Sequence, residues 1–390
     1  MFPKKLYNKL QKRTENNSFR KLSFQNKLVD FSSNDYLGFS KSKAIFNKSH
    51  QYLVDNGFIQ NGATGSRLLS GNHELYTIVE EQLKSIHQSE VLIFNSGYDA
   101  NIGFFSAVPQ RNDVILYDEL SHASIRDGIQ LSNSKAYSFK HNNMQDLEKK
   151  LKRHSEANKK SQTEPVEVYV VTESVFSMDG DSPDLEAMLQ ISKKYRAHVI
   201  VDEAHAVGVF GFGLVQQLGL EKEVFARIIT FGKALGCHGA AILGSKQLKE
   251  YLINFSRSFI YTTGLSPHSL ATIHIAYKEL VISSAVERSH SGIHQLKDNI
   301  QYFKVKYDEL QLTDSFVESN AAIQCCVIPG NSAIKKCAEV LQENGFDVWP
   351  ILSPTVPEGQ ERLRFCLHSY NTQQQIDEVL KLLSTFVKLS

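Results

Sequence analysis

Two stretches decide how this chain is read. One is Val199-Ile200-Val201-Asp202-Glu203-Ala204-His205; the other is Ile228-Ile229-Thr230-Phe231-Gly232-Lys233-Ala234-Leu235-Gly236. Each opens on a short apolar run rich in β-branched residues, the composition of a strand covered on both faces. Each then leaves the strand on polar or ionisable side chains. A carboxylate at the end of an apolar run is costly to bury without a cationic partner. A lysine just beyond a strand, flanked by Gly232 and Gly236, sits where the backbone can approach a ligand closely.

The same pattern recurs outward from these two stretches. Candidate strands lie at Val91 to Phe94, Val114 to Tyr117, Val168 to Thr172, Val199 to Asp202, Ile228 to Thr230 and Ala240 to Leu243. Between them run helical patterns, such as Leu75, Ile78, Val79, Leu83 and Ile86. Strand–helix alternation predicts an α/β fold with a mostly parallel central sheet flanked by helices. Ser182-Pro183 reads as an N-cap followed by proline at the first helical position. Residues 146–165 read as a solvated helix and a surface loop. From residue 276 the apolar run Ile323 to Ile328, a helix ending at Gly345, the strand Leu363 to Leu367 and a last helix suggest a smaller α+β domain. That last helix starts with the capping-box pattern Thr372-Gln373-Gln374-Gln375. The expected organisation is an N-terminal arm over 1–40, a large domain over 41–275 and a small C-terminal domain over 276–390.

Composition narrows the classes of function. The chain has 390 residues, 43 Lys plus Arg against 42 Asp plus Glu, and a net charge of +1, which gives no electrostatic case for nucleic acid or an anionic membrane. No window approaches the roughly 20 apolar residues of a membrane span, and the N-terminus has no apolar core of signal-peptide length. Five cysteines, two of them adjacent (Cys325 and Cys326), read as free thiols in a reducing cytosol.

The chemistry-bearing residues follow strand ends, where open α/β sheets place their ligands. An unprotonated Lys233 can condense with an aldehyde, and Asp202 can pair with a protonated pyridine nitrogen; together they are what pyridoxal phosphate (PLP) chemistry needs. His205 can hydrogen-bond the ring hydroxyl of that cofactor. In Asn95-Ser96-Gly97-Tyr98 a strand turns into a helix whose first N–H groups make a phosphate site. Ser96, Gly97 and Tyr98 are the candidates, joined by the Thr230 hydroxyl. His122, in Ser121-His122-Ala123-Ser124, can lie flat on the cofactor ring. Ser177 can reach toward the cofactor's phenolic oxygen. Arg362 and Arg364, two apart on one strand face, offer a bidentate clamp for a carboxylate.

Six separated segments carry a resemblance: Asn34-Asp35-Tyr36-Leu37-Gly38, Ser121 to Ser124, Val175 to Gly180, Asp202 to His205, Thr230 to Lys233, and Arg362-Leu363-Arg364. In this order and spacing the chain resembles the α-oxoamine synthases, fold-type I PLP enzymes. The family joins an amino acid to an acyl thioester with loss of carbon dioxide. The resemblance implies that Lys233, His122, Asp202 and His205 are the catalytic group, with PLP also held by Ser96, Gly97, Tyr98, Ser177 and Thr230. It implies that Arg364, Asn34, His122, Thr355 and an N-terminal arginine, Arg20, contact substrate. Thr262 and Thr263 match a segment that reaches the neighbouring subunit's phosphate, which implies a homodimer. The implied substrates are L-alanine and a pimeloyl thioester carried on coenzyme A or an acyl-carrier protein. Glycine with an acetyl thioester is the alternative. Departures fall at Ala206-Val207-Gly208, where relatives carry Gly-Thr-Gly, and at Asn371, where they often carry histidine.

Asp202-Glu203-Ala204-His205 also spells a helicase box. That reading needs an upstream phosphate loop ending Gly-Lys-Ser/Thr, and Gly232-Lys233 lies downstream and continues with Ala234. His122, His205 and Cys237 lack metal-ligand spacing on one element, so no metal is expected.

Overall fold

A computed structural model describes residues 2–16, 19–20, 22, 27–159, 166–285 and 292–387. Its strands, in chain order, are β1 (Val29–Asp30), β2 (Glu90–Phe94), β3 (Val114–Asp118), β4 (Lys135–Phe139), β5 (Val168–Glu173), β6 (His198–Asp202), β7 (Ala226–Thr230), β8 (Ala240–Gly244), β9 (Ile323–Val327), β10 (Phe346–Asp347), β11 (Trp349–Ile351) and β12 (Arg362–Cys366). Among the described residues, seven of these form one sheet in the order β2-β8-β7-β6-β5-β3-β4. β8 runs antiparallel to both of its neighbours, and every other pairing in that sheet is parallel. A smaller antiparallel sheet holds β11, β12 and β9. The mostly parallel large sheet follows from the alternation read above.

The six expected strands all form, and each gains a residue or two at its ends. β4 was not expected. Its residues Lys135 to Phe139 alternate between exposed or half-exposed positions and only Phe139 is buried, because β4 is the sheet edge. An edge strand carries no continuous apolar run to betray it. The helix expected to open at Ser182-Pro183 starts two residues later. Asp184 is its cap, accepting from the Ala187 N–H at 2.9 Å, and the helix spans Leu185–Lys194. A carboxylate at the cap also complements the positive end of the helix dipole. The capping box at the last helix is realised in both directions. The Thr372 N–H donates to Gln375 Oε1 at 3.0 Å, and the Gln375 N–H donates to Thr372 Oγ1 at 3.2 Å. Residues Lys4–Glu15 form a helix with no buried residue. The expected surface segment 146–165 is helical within Met144–Lys159, and residues 160–165 lie outside the described residues. No helix among the described residues is long and apolar enough to cross a membrane.

The N-terminal segment ties the two sheets together. β1 pairs in parallel with β10. The Cys366 N–H donates to the Phe31 carbonyl at 2.7 Å, and the Ser369 N–H donates to the Tyr36 carbonyl at 2.8 Å. On its other side the segment meets the turn that carries Lys233. Gly236 has φ +61°, and a Cβ there would collide with the backbone nitrogen of Ser40. Only glycine satisfies both the left-handed backbone and the close approach.

Candidate active site

The carboxyl ends of β2, β3, β5, β6 and β7 open into one cavity of about 320 Å³. Its walls include Ser96, Gly97 and Tyr98 after β2, His122 after β3, Glu173 on β5, and Asp202 and His205 from β6 and its loop. Thr230 and Lys233 from β7 and its loop, and Asn34 from the N-terminal segment, complete it.

Lys233 is the centre of this cavity. Burial drives its ammonium down from the usual lysine range to about 8, against the opposing pull of Asp202 and Glu173. A lysine so placed exchanges its proton near neutral pH. Its Nζ lies 2.6 Å from His205 Nε2. His205 is itself buried, which holds its ring well below the normal histidine range and so uncharged.

Asp202 is 5% exposed at the end of β6. One carboxylate oxygen accepts from the Ala204 N–H at 2.9 Å, and the other accepts from Asn101 Nδ2 at 2.8 Å. No lysine or arginine pairs with it among the described residues. A buried carboxylate aimed into a cavity with only neutral donors is the open half of an ion pair. Beside it stands Glu173, its register partner on β5. Burial and the neighbouring Asp202 raise the Glu173 carboxyl to about 8, so it keeps its proton at neutral pH. Glu173 also accepts the backbone N–H of His122 at 2.6 Å, which fixes the height of that residue over the cavity. The His122 ring is turned by Ser124, whose Oγ lies 2.7 Å from Nδ1.

An anion site lies at the other end. Ser96 caps the helix Gly97–Ala107, its Oγ accepting from the Asp99 N–H at 3.0 Å. The N–H groups of Gly97 and Tyr98 open that helix and have no intrahelical acceptor. Thr230 Oγ1 is buried and unpartnered among the described residues. A Cβ on Gly97 would lie 2.8 Å from Thr230 Cγ2, so glycine lets the helix start press against β7. Helix N–H groups, a cap hydroxyl and an orphaned threonine hydroxyl form a phosphate cradle. A desolvated lysine, an unpaired aspartate and this cradle fit the three functional ends of PLP: aldehyde, pyridine nitrogen and phosphate.

Other expected residues lie outside the cavity wall. Arg364 sits one residue behind it, donating to Asn34 Oδ1 at 3.0 Å and to the Ser177 carbonyl at 2.6 Å. Ser177 thus offers its backbone to Arg364. Arg362 is engaged by Asp179 and turns away from the role of clamp. Thr262 and Thr263 are met by Asn95, whose amide donates to Thr262 Oγ1 at 3.3 Å and to the Thr263 carbonyl at 2.5 Å. Thr355 and Arg20 are exposed and line no part of the cavity. Sequence reading passed over Asn101, Glu173 and Tyr36. Asn101 and Glu173 left a signal: each is a polar residue inside an otherwise apolar helix or strand, one turn or one register step from a residue already singled out.

The family description of aminotransferase class I and II matches residues 26–383, and the chain belongs to that family. Within it the chain is an α-oxoamine synthase-type, PLP-dependent transferase of fold type I. It is 39% identical over 372 residues to 8-amino-7-oxononanoate synthase of Emericella nidulans, covering 92% of this chain and 89% of that one. It is 34% identical over 361 residues to 8-amino-7-oxononanoate synthase of Lysinibacillus sphaericus, covering 91% and 87%. Among solved structures, the 8-amino-7-oxononanoate synthase of Francisella tularensis superposes with a TM-score of 0.75 at 28% identity, covering 94% of this chain and 99% of that one. Serine palmitoyltransferase of Sphingomonas wittichii superposes with a TM-score of 0.82 at 25% identity, covering 99% and 97%.

Proposed function

We propose that this enzyme condenses L-alanine with a pimeloyl thioester, on coenzyme A or an acyl-carrier protein, releasing carbon dioxide and 8-amino-7-oxononanoate, a step of biotin biosynthesis. The observation that carries the reading is the pairing of a desolvated Lys233 with an Asp202 that has no cation of its own, in a chain related over nine-tenths of its length to synthases of that product.

Bound PLP supplies an electron sink for the negative charge that develops on the amino-acid α-carbon. Lys233 holds the cofactor and, once freed, moves the proton at that carbon; an amine titrating near 8 can both take and return it. Asp202 keeps the sink electron-poor by stabilising positive charge at the ring nitrogen, and Asn101 orients its carboxylate. His122 would cover one face of a bound ring, its backbone held by Glu173. His205 would hydrogen-bond the ring hydroxyl. Arg364, braced by Asn34 and the Ser177 carbonyl, takes the amino-acid carboxylate. Thr355 and Arg20 belong to the acyl side. Both are exposed, as fits a long thioester entering from solvent.

A homodimer completes the reading. Thr262 and Thr263 lie beside the 70% exposed Tyr261, on a surface suited to a second copy whose phosphate they reach. Five free cysteines, four of them buried, suit a reducing cytoplasm.

One assay tests the substrate. Purified protein loaded with PLP is given alanine, glycine or serine with pimeloyl, acetyl or palmitoyl thioester, and products are read by mass. Alanine with pimeloyl thioester should give the largest kcat/KM. A preference for glycine with acetyl thioester, or serine with palmitoyl thioester, moves the protein to another branch of the family.

A further inference from the structure

Five side chains form an unbroken run behind the cavity. Lys233 Nζ lies 2.6 Å from His205 Nε2. His205 Nδ1 lies 2.7 Å from the Tyr36 hydroxyl. That hydroxyl lies 3.1 Å from Asn34 Oδ1, and Arg364 Nη2 donates to the same Asn34 oxygen at 3.0 Å. The far end has fixed roles, because a guanidinium only donates and an amide oxygen only accepts. The near end does not.

When Lys233 carries its proton the ammonium can only donate, so His205 Nε2 must accept. The ring proton then sits on Nδ1 and points at the Tyr36 oxygen, and the Tyr36 proton goes to Asn34. When Lys233 is neutral it keeps two N–H donors and gains a lone pair, which can take the hydrogen bond of a ring Nε2–H. Nδ1 becomes the acceptor, the Tyr36 hydroxyl turns to it, and Asn34 keeps only Arg364. We propose that Tyr36 is a positioning residue whose hydroxyl relays the charge of Lys233, through the tautomer of His205, to the Asn34–Arg364 pair. The proposal deepens the reading of Arg364 as the carboxylate clamp and rests on that reading only for what the last link does.

The surroundings suit a relay. Tyr36 is 0% exposed and His205 5%, so water does not compete at the middle of the run. Desolvation keeps the His205 ring neutral and the Tyr36 hydroxyl protonated, and a neutral ring is what has two tautomers. Lys233 also feels Asp202 of β6, Glu173 of β5, Arg364 and Cys366 of β12, and His122 after β3. Tyr36 feels Arg364, Cys366 and Cys325. Arg364 itself approaches the Tyr36 oxygen, which closes the run on the clamp.

The test uses the full-length protein, first without PLP. With ¹⁵N-labelled histidine, the His205 ring is assigned by its loss in His205→Gln. It should pass from the Nδ1–H to the Nε2–H tautomer as pH rises through about 8. In Lys233→Ala the tautomer should no longer follow pH, whereas Tyr36→Phe keeps the ring, its packing and the switch. In the loaded enzyme Tyr36→Phe should raise the half-saturating alanine concentration about fivefold, the size of one hydrogen bond, with a smaller change in kcat. One His205 tautomer at every pH overturns the relay, and so does a Lys233→Ala ring that still switches. A normal switch in wild type with unchanged alanine saturation in Tyr36→Phe severs the link to Arg364 and counts against the clamp reading itself.

Discussion

Asp202 and Glu203 are neighbours in sequence and opposites in circumstance. Both are buried carboxylates at the end of β6. Glu203 turns into the protein, where it accepts Arg227 Nε at 2.5 Å and the Val215 N–H at 2.9 Å, while Arg227 Nη2 donates to the Phe212 carbonyl at 2.8 Å. Asp202 turns into the cavity and meets only neutral donors. Alternation of side chains along a strand puts the two on opposite faces. The face with its charges matched holds the sheet together; the face left unmatched is the one that binds. Arg362 and Arg364 on β12 show a related division, the first matched by Asp179 and the second braced by amide and carbonyl oxygens.

This contrast can be broken at four points, from the largest effect down. Lys233→Ala should cut turnover on the order of 10³-fold or more, while the melting temperature holds or rises because a costly buried amine is gone. Retained turnover removes Lys233 from the chemistry. Arg227→Ala should cost about 3–5 kcal/mol in denaturant unfolding, since it strands Glu203 as a buried charge. An unchanged midpoint would mean that the matched face is not what supports the sheet. Asp202→Asn should do the reverse, lowering kcat about 10²-fold with little change in the unfolding midpoint. The smallest effect is in pH. In the PLP-free protein, Glu173 holds its proton up to about 8 although the unfolded chain releases it near 4.5, so the fold binds more protons and stability falls between those values. Lys233 acts oppositely: the fold releases its proton near 8 and the unfolded chain near 10.5, so stability climbs again over that range. Chemical denaturation across pH should trace a minimum near 8, and Glu173→Gln should flatten its acid limb alone.

The parallel sheet was legible because strands covered on both faces must be continuously apolar, as Val199 to Val201 and Val168 to Val171 are. β4 was not, because an edge strand with Lys135 and Ser138 looks like any polar segment. At the site, Lys233 and Asp202 were legible from where they break their strands. Glu173 and Asn101 declare themselves only across the register with Asp202 and across the helix packed on it, relations that a linear reading does not contain. The bonds from Arg364 to the Ser177 carbonyl and to Asn34 span 187 and 330 residues, and no local pattern encodes such distances.

The stitching of residues 29–40 to both β12 and the Lys233 turn has a consequence for biosynthesis. The pocket draws one wall from the first tenth of the chain and braces it with the last tenth. A ribosome that has already delivered the lysine, the aspartate and the phosphate cradle has still not made a vitamin-binding protein. That waits for β12 to close over the opening segment, so a nascent chain should begin to retain its coenzyme only once β12 has left the ribosome.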